Sequence, residues 1–121
     1  MQQHLNDSVS IYLQISRMIE TDILRGILLE EERVPSTNEL AKLYTINPAT
    51  AAKGVNILVD EGILYKKRGI GMFVAEGAAE AIRTKRREEF YTVALHELLQ
   101  EARSLGISKE DLISKIKEEE N

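Results

Sequence analysis

Between Ser10 and Arg25, apolar residues recur every four positions at Ile11, Ile15, Ile19 and Ile23, with Met18 and Leu24 beside them. That is the period of a helix with one buried face. Gly26 stands where a left-handed residue ends such a helix. The stretch from Ile27 to Val34 keeps no period and reads as a short irregular link. Pro35 then fixes the backbone, Ser36 is placed as an N-cap, and Glu39 three residues on completes the pattern of a capping box. A brief second helix is expected from about Thr37 to Tyr44, with Leu40 and Leu43 inward and Lys42 in water. Asn47-Pro48 opens a third after a turn of two or three residues, because Asn accepts bonds from first-turn amides and Pro at the first helical position loses no donor that would be paired. Ala51, Val55, Leu58 and Val59 share one side of that helix, and Glu61-Gly62 closes it.

Ile63-Leu64-Tyr65 and Met72-Phe73-Val74 are β-inclined runs separated by the Gly-punctuated segment Lys66 to Gly71, the pattern of a hairpin. The chain turns small between Glu76 and Ala79, which sets a boundary near Gly77. From there to Leu105 a long helix is expected. At 100° per residue its apolar set of Phe90, Tyr91, Ala94, Leu95, Leu98, Leu99, Ala102 and Leu105 spans about half the circumference. Thr92, His96, Glu97, Gln100, Arg103 and Ser104 lie opposite, with Val93 out of place. Gly106 stops the helix, Ser108 and Asp111 read as a second capping box, and Leu112, Ile113 and Ile116 give a last short helix an apolar side. The fold class is therefore mainly α with a small β-hairpin wing. A winged helix-turn-helix in residues 1–77 is followed by a short two-helix segment in 78–121.

At 121 residues the chain has room for one compact domain and a helical appendage. It has no cysteine, which removes disulfides and thiolate metal sites. With no apolar run of spanning length and no signal-like leader, the expected compartment is the cytoplasm and no membrane partner is expected. The net charge of -4 repels phosphate, so any binding of nucleic acid has to rest on local clusters. Residues 63–74 hold Lys66, Lys67 and Arg68 and no acid, while acids gather at Glu30-Glu31-Glu32 and Glu118-Glu119-Glu120 and read as solvated faces.

A helix-turn-helix braces one helix against a second whose amino-terminal residues enter the major groove of double-stranded DNA. Turning Ala51, Val55 and Leu58 inward leaves Ala49, Thr50, Lys53 and Asn56 outward. Asn47 and the free amides beside Pro48 suit a phosphate. Ser36, Thr37 and Asn38 at the second helix start suit another, which fixes docking register. In the wing, Lys66, Lys67 and Arg68 sit beside Gly69 and Gly71, where missing side chains let the backbone approach a sugar-phosphate wall or enter the minor groove. The plainer alternatives are a three-helix unit whose outer face meets only water, a Ser36 that is only a cap, and glycines that serve only the hairpin. The apolar arc of the long helix exceeds what one small domain covers, so it and Leu112, Ile113 and Ile116 form the expected dimerisation surface. A two-fold dimer matches a palindromic site and doubles the phosphate contacts. The alternative is a helix folded back on its own domain.

Catalysis has no support in the pattern. His4 lies near the start of the chain and His96 on the polar side of a helix, without metal-ligand spacing. Gly69-Ile70-Gly71 lies in a hairpin and lacks the following helix that phosphate loops need. No catalytic residue, metal or cofactor is assigned, and the four tyrosines read as core or interface residues.

Several linked motifs in order carry a family resemblance. They are Ile11-Tyr12-Leu13-Gln14-Ile15, Val34-Pro35-Ser36 with Glu39-Leu40-Ala41, Ile46-Asn47-Pro48-Ala49-Thr50, Glu61-Gly62-Ile63-Leu64-Tyr65, and Lys67-Arg68-Gly69-Ile70-Gly71-Met72-Phe73-Val74. The chain resembles the GntR superfamily of bacterial transcription regulators and, more narrowly, its YtrA-like subfamily. The resemblance implies DNA contacts at Ser36 to Asn38, at Asn47 to Thr50 with Lys53, and at Lys66 to Gly71. It also implies a short dimerisation part over Gly77 to Asn121, and control of neighbouring transporter genes, usually by repression. Many relatives place Arg where this chain has Asn38, favour Arg or Gln at Ala52, and carry a Pro-Gly turn at Glu30-Glu31. Two rival readings stand beside it. One is a protein-binding winged helix, which the acidic total charge favours; the other adds an unidentified small-molecule effector between the carboxy-terminal helices.

Overall fold

A computed structural model describes residues 10–120, so His4 lies outside the described residues. The chain forms two compact units that divide between Arg83 and Thr84. In the first, α1 (Ile11–Leu24), α2 (Thr37–Tyr44) and α3 (Pro48–Asp60) pack around the fully buried Ile15, Ile19, Leu40, Val55 and Leu58. The repeat of isoleucines every four positions supplies the inner face of α1, and Gly26, at φ 76°, ends the helix as expected. α1 and α3 approach closely because α3 carries Gly54. A Cβ there would sit 2.6 Å from the Tyr12 carbonyl oxygen, and the Ser16 hydroxyl donates to the Gly54 carbonyl across the same contact.

One inward assignment fails in α2. Leu43 is 59% exposed, while Ala41 is buried and Tyr44 packs on the core. At 100° per residue Leu40, Ala41 and Tyr44 share one side of the helix and Leu43 falls off its edge. The Tyr44 hydroxyl is buried without a hydrogen-bond partner. Burial, and secondarily the charge of Asp22, raises its pKa.

The hairpin of β1 (Leu64–Lys67) and β2 (Gly71–Val74) pairs Leu64 with Val74, both buried, and Tyr65 with Phe73. β1 reaches two residues further toward the turn than its apolar run suggests, and β2 one. The link before Pro35 is not irregular. Arg33 bridges Phe73 in antiparallel fashion, the Val34 N–H donates to Met72 O at 2.9 Å, and the Val74 N–H donates to Glu32 O at 3.0 Å, so the link is held against β2 by an isolated bridge while the sheet itself keeps two strands. The neighbouring acids are exposed yet employed. Glu30 accepts from the Gly77 N–H at 2.9 Å, Glu31 from the Tyr65 hydroxyl, and Glu32 from the Leu29 N–H at 2.9 Å. Glu31 has φ 68°, the left-handed region that Gly favours.

The helix after Gly77 is α4 (Ala78–Glu89), and its Ala78 and Ile82 belong to the core of the first unit, so that unit runs past Gly77. In the second unit the expected regular helix to Leu105 is interrupted. Phe90–Ala94 forms a π turn in which the Leu95 N–H bonds to Phe90 O, before α5 (Leu95–Ser104) resumes. The wider turn changes the rotation per residue, so positions before and after it no longer follow one 100° wheel. α6 (Lys109–Glu118) starts at Ser108, whose side chain accepts from the Asp111 N–H at 3.1 Å, one half of the expected box.

Candidate nucleic-acid interface

The third helix starts as its sequence requires. The Asn47 side-chain oxygen accepts from the Ala49 N–H at 2.7 Å and Pro48 occupies the first turn. With Ala51, Gly54, Val55 and Leu58 buried, Ala49, Lys53 and Asn56 lie exposed along the opposite edge and Thr50 is half-buried on its flank. The Asn47 oxygen is committed to the cap, which leaves its amide nitrogen for an outside acceptor. Lys53 is not free-swinging, because its Nζ lies 4.0 Å from the centroid of the Tyr12 ring on α1.

At the start of α2 the capping box is complete: Ser36 Oγ accepts from the Glu39 N–H, and the Ser36 N–H donates to Glu39 Oε1, both at 3.0 Å. The Ser36 backbone and hydroxyl hold the Glu39 carboxyl below its ordinary range, with Arg33 adding a smaller push. Ser36 therefore does act as a cap; Thr37 beside it is half-buried and Asn38 exposed. The wing divides its cations between two faces. Lys66 turns toward a cleft of about 300 Å³ lined also by Arg33, Ser36, Thr37, Asn56 and Gly71. Lys67, one residue on, lies over the Phe73 ring at 4.5 Å and the Tyr65 ring at 5.8 Å. That alternation is the period of a strand. Arg68 and Gly69 are exposed at the turn, where Gly69 takes φ 77°. Gly71 takes φ 148°, a backbone conformation that favours glycine, and a Cβ there would lie 2.8 Å from Arg33 Nε, at the end of a side chain that would have to shift.

The structure thus gathers Ser36, Thr37, Lys66 and Gly71 in one cleft and sets Lys67 on the other side of the hairpin. Lys53 lies on the Tyr12 flank of α3. Arg33 was missed by the sequence reading. Its strand partner is far along the chain, and no local period marks the bridge. Asn56 was legible as an outward residue of the third helix.

Among the described residues no group of three or more His, Asp or Glu is placed to hold a metal ion, and no helix is long and apolar enough to cross a membrane. His96 is exposed.

Three packed helices, the third offering an open polar edge beside a cation-bearing hairpin, define a winged helix-turn-helix protein. Residues 11–74 match the family model described as bacterial regulatory proteins, gntR family. The chain is 32% identical over 111 residues to the HTH-type transcriptional repressor YtrA of Bacillus subtilis (strain 168), covering 92% of this chain and 85% of that protein. A solved transcriptional regulator of the GntR family from Bacteroides thetaiotaomicron superposes with a TM-score of 0.73 at 37% identity, covering 89% of this chain and 94% of that one. The DNA-binding domain of AraR, solved in complex with operator ORX1, superposes at 0.53 with 32% identity over 62% of this chain and 92% of that one. The chain belongs to the GntR family of bacterial regulatory proteins, on its YtrA-like side. It is a DNA-binding transcription regulator and not an enzyme.

Proposed function

We propose that the chain acts in the cytoplasm as a homodimeric repressor at a palindromic operator, with α3 in the major groove and the wing on flanking phosphates or minor groove. The observation that carries this reading is the exposed edge of Ala49, Lys53 and Asn56 on α3, in the same compact unit as the Lys66 cleft. Asn47, Pro48 and Thr50 complete the groove-facing start of α3. Ser36, Thr37 and Asn38 set register on one strand, and Lys67, Arg68, Gly69 and Gly71 complete the wing contact. The family resemblance favours transporter genes as targets.

The dimer is supported by the second unit's apolar surface. Phe90, Tyr91, Leu98, Leu105, Ile113 and Ile116 are between 46% and 65% exposed. Leu95, Leu99 and Leu112 are half-buried beside them and Ala94 is exposed, whereas Ala102 is buried within its own unit and contributes by packing α5. This much exposed apolar surface on a short helical unit favours an interaction site. A groove of about 240 Å³ lined by Leu95, Leu98, Leu99, Leu112, Ile113 and Ile116 lies on that face, and a partner copy is the occupant we favour over an unidentified effector. Selection of bound fragments from the source genome, with sedimentation at micromolar protein concentration, tests the reading. Inverted repeats and a dimer support it; retained fragments without a shared sequence, or a monomer, contradict it.

A further inference from the structure

We propose that Arg33 grips the DNA backbone, receiving a phosphate in the cleft between the wing, the start of α2 and the side of α3. Its backbone is pinned by the bridge to Phe73, so the side chain leaves a fixed main chain. It is half exposed, at 54% of its side chain, and lies on the same cleft as Lys66, with Ser36, Thr37 and Asn56 as polar neighbours. Gly71 is bare where the guanidinium stem crosses the wing, and any side chain there would displace Arg33.

The acid nearest at hand holds Arg33 without satisfying it. Glu39 Oε1 stands 3.9 Å from Arg33 Nη2, both partners are more than half exposed, and that oxygen already accepts the Ser36 N–H. Such a pair is weak in water. Four of the five guanidinium donors at least remain for an incoming phosphate, whose geometry suits a planar fork. The opposite wall of the cleft includes Asn56 of α3, so a strand bordering the groove entered by that helix passes between Arg33 and Lys66.

The test uses the full chain and a fluorescein-labelled duplex of mixed sequence, with anisotropy titrations at several salt concentrations and thermal melts alongside. Arg33→Gln keeps most of the stem and removes the charge; Arg25→Gln makes the same charge change at the exposed end of α1. Arg33→Gln is expected to weaken binding about tenfold and to lower the salt slope by about one, with Arg25→Gln changing both far less. Equal effects of the two substitutions overturn the proposal, since net charge alone would then account for them. If Arg33→Gln melts lower than the unsubstituted chain, Arg33→Lys decides. A salt slope like that of the unsubstituted chain supports a phosphate contact, and a slope lowered by about one overturns it. Inorganic phosphate competing at millimolar concentration with equal effect on the Gln variant and the unsubstituted chain also counts against it.

Discussion

Gly54 shows how a single residue can set the distance between two helices. In the middle of α3 it costs about 1 kcal/mol of helix propensity relative to Ala. Its missing Cβ nevertheless lets the Tyr12 carbonyl and Ile15 side chain come against α3, where a methyl would meet them at 2.6 and 3.0 Å. The gain in propensity on substitution is smaller than the cost of moving a backbone oxygen in a packed interface. Gly54→Ala is therefore expected to destabilise the chain by about 1–2 kcal/mol in urea unfolding, and a stabilised variant contradicts this account of the α1–α3 contact. Nothing near position 54 signals the need, because the crowding atoms come from α1. The caps at Ser36 and Asn47 were legible for the opposite reason, since each bonds amides within three residues of itself. Lys53 falls between: its outward direction follows from the helical period, but its seat over Tyr12 depends on packing between helices.

At the scale of elements, the wing is more than a hairpin. The segment from Glu30 to Val34 fastens to it through main-chain bonds to β2 and through Glu31 to the Tyr65 hydroxyl. Sequence alone separates these acids from the wing because strand pairing between distant segments leaves no local period, and three adjacent glutamates resemble a solvated run. The hydrogen bond to Glu31, with burial second, raises the Tyr65 pKa from its ordinary 10.0. A raised folded-state value means the neutral phenol is favoured by folding. This contribution is present below pH 10 and is lost as pH rises through the folded value. Tyr44 is shifted in the same direction and stays as a background. Tyr65→Phe should make the loss of stability above pH 10 shallower than in the unsubstituted chain, as read by denaturant midpoints along a pH series. Parallel pH profiles would show that the Tyr65–Glu31 bond does not fasten the wing. The long helix offers a second instance of the same limit: its amphipathic face was legible, but the π turn at Phe90–Ala94 was not, since a wheel assumes one rotation per residue.

Over the whole molecule, a chain of net charge -4 carries its charges segregated along the sequence. Arg33 and Lys66 line the cleft, while Glu30, Glu31 and Glu32 accept hydrogen bonds from Gly77, Tyr65 and Leu29. The order of the helices and of the two hairpin strands in the first unit was readable, because each begins or ends near a cap, a Pro or a Gly, whereas the bridge of Arg33 to β2 was not. How residues from separate elements share one cleft was readable only in part. A footprint on a fragment selected from the source genome tests the central claim, that the exposed edge of α3 enters the major groove and the wing lies beside it. Methylation at guanine N7 reports the major groove, and hydroxyl radicals report the backbone. The account predicts N7 protection in two half-sites about one or a small whole number of helical turns apart, flanked by backbone protection. Backbone protection with every N7 still reactive would contradict it.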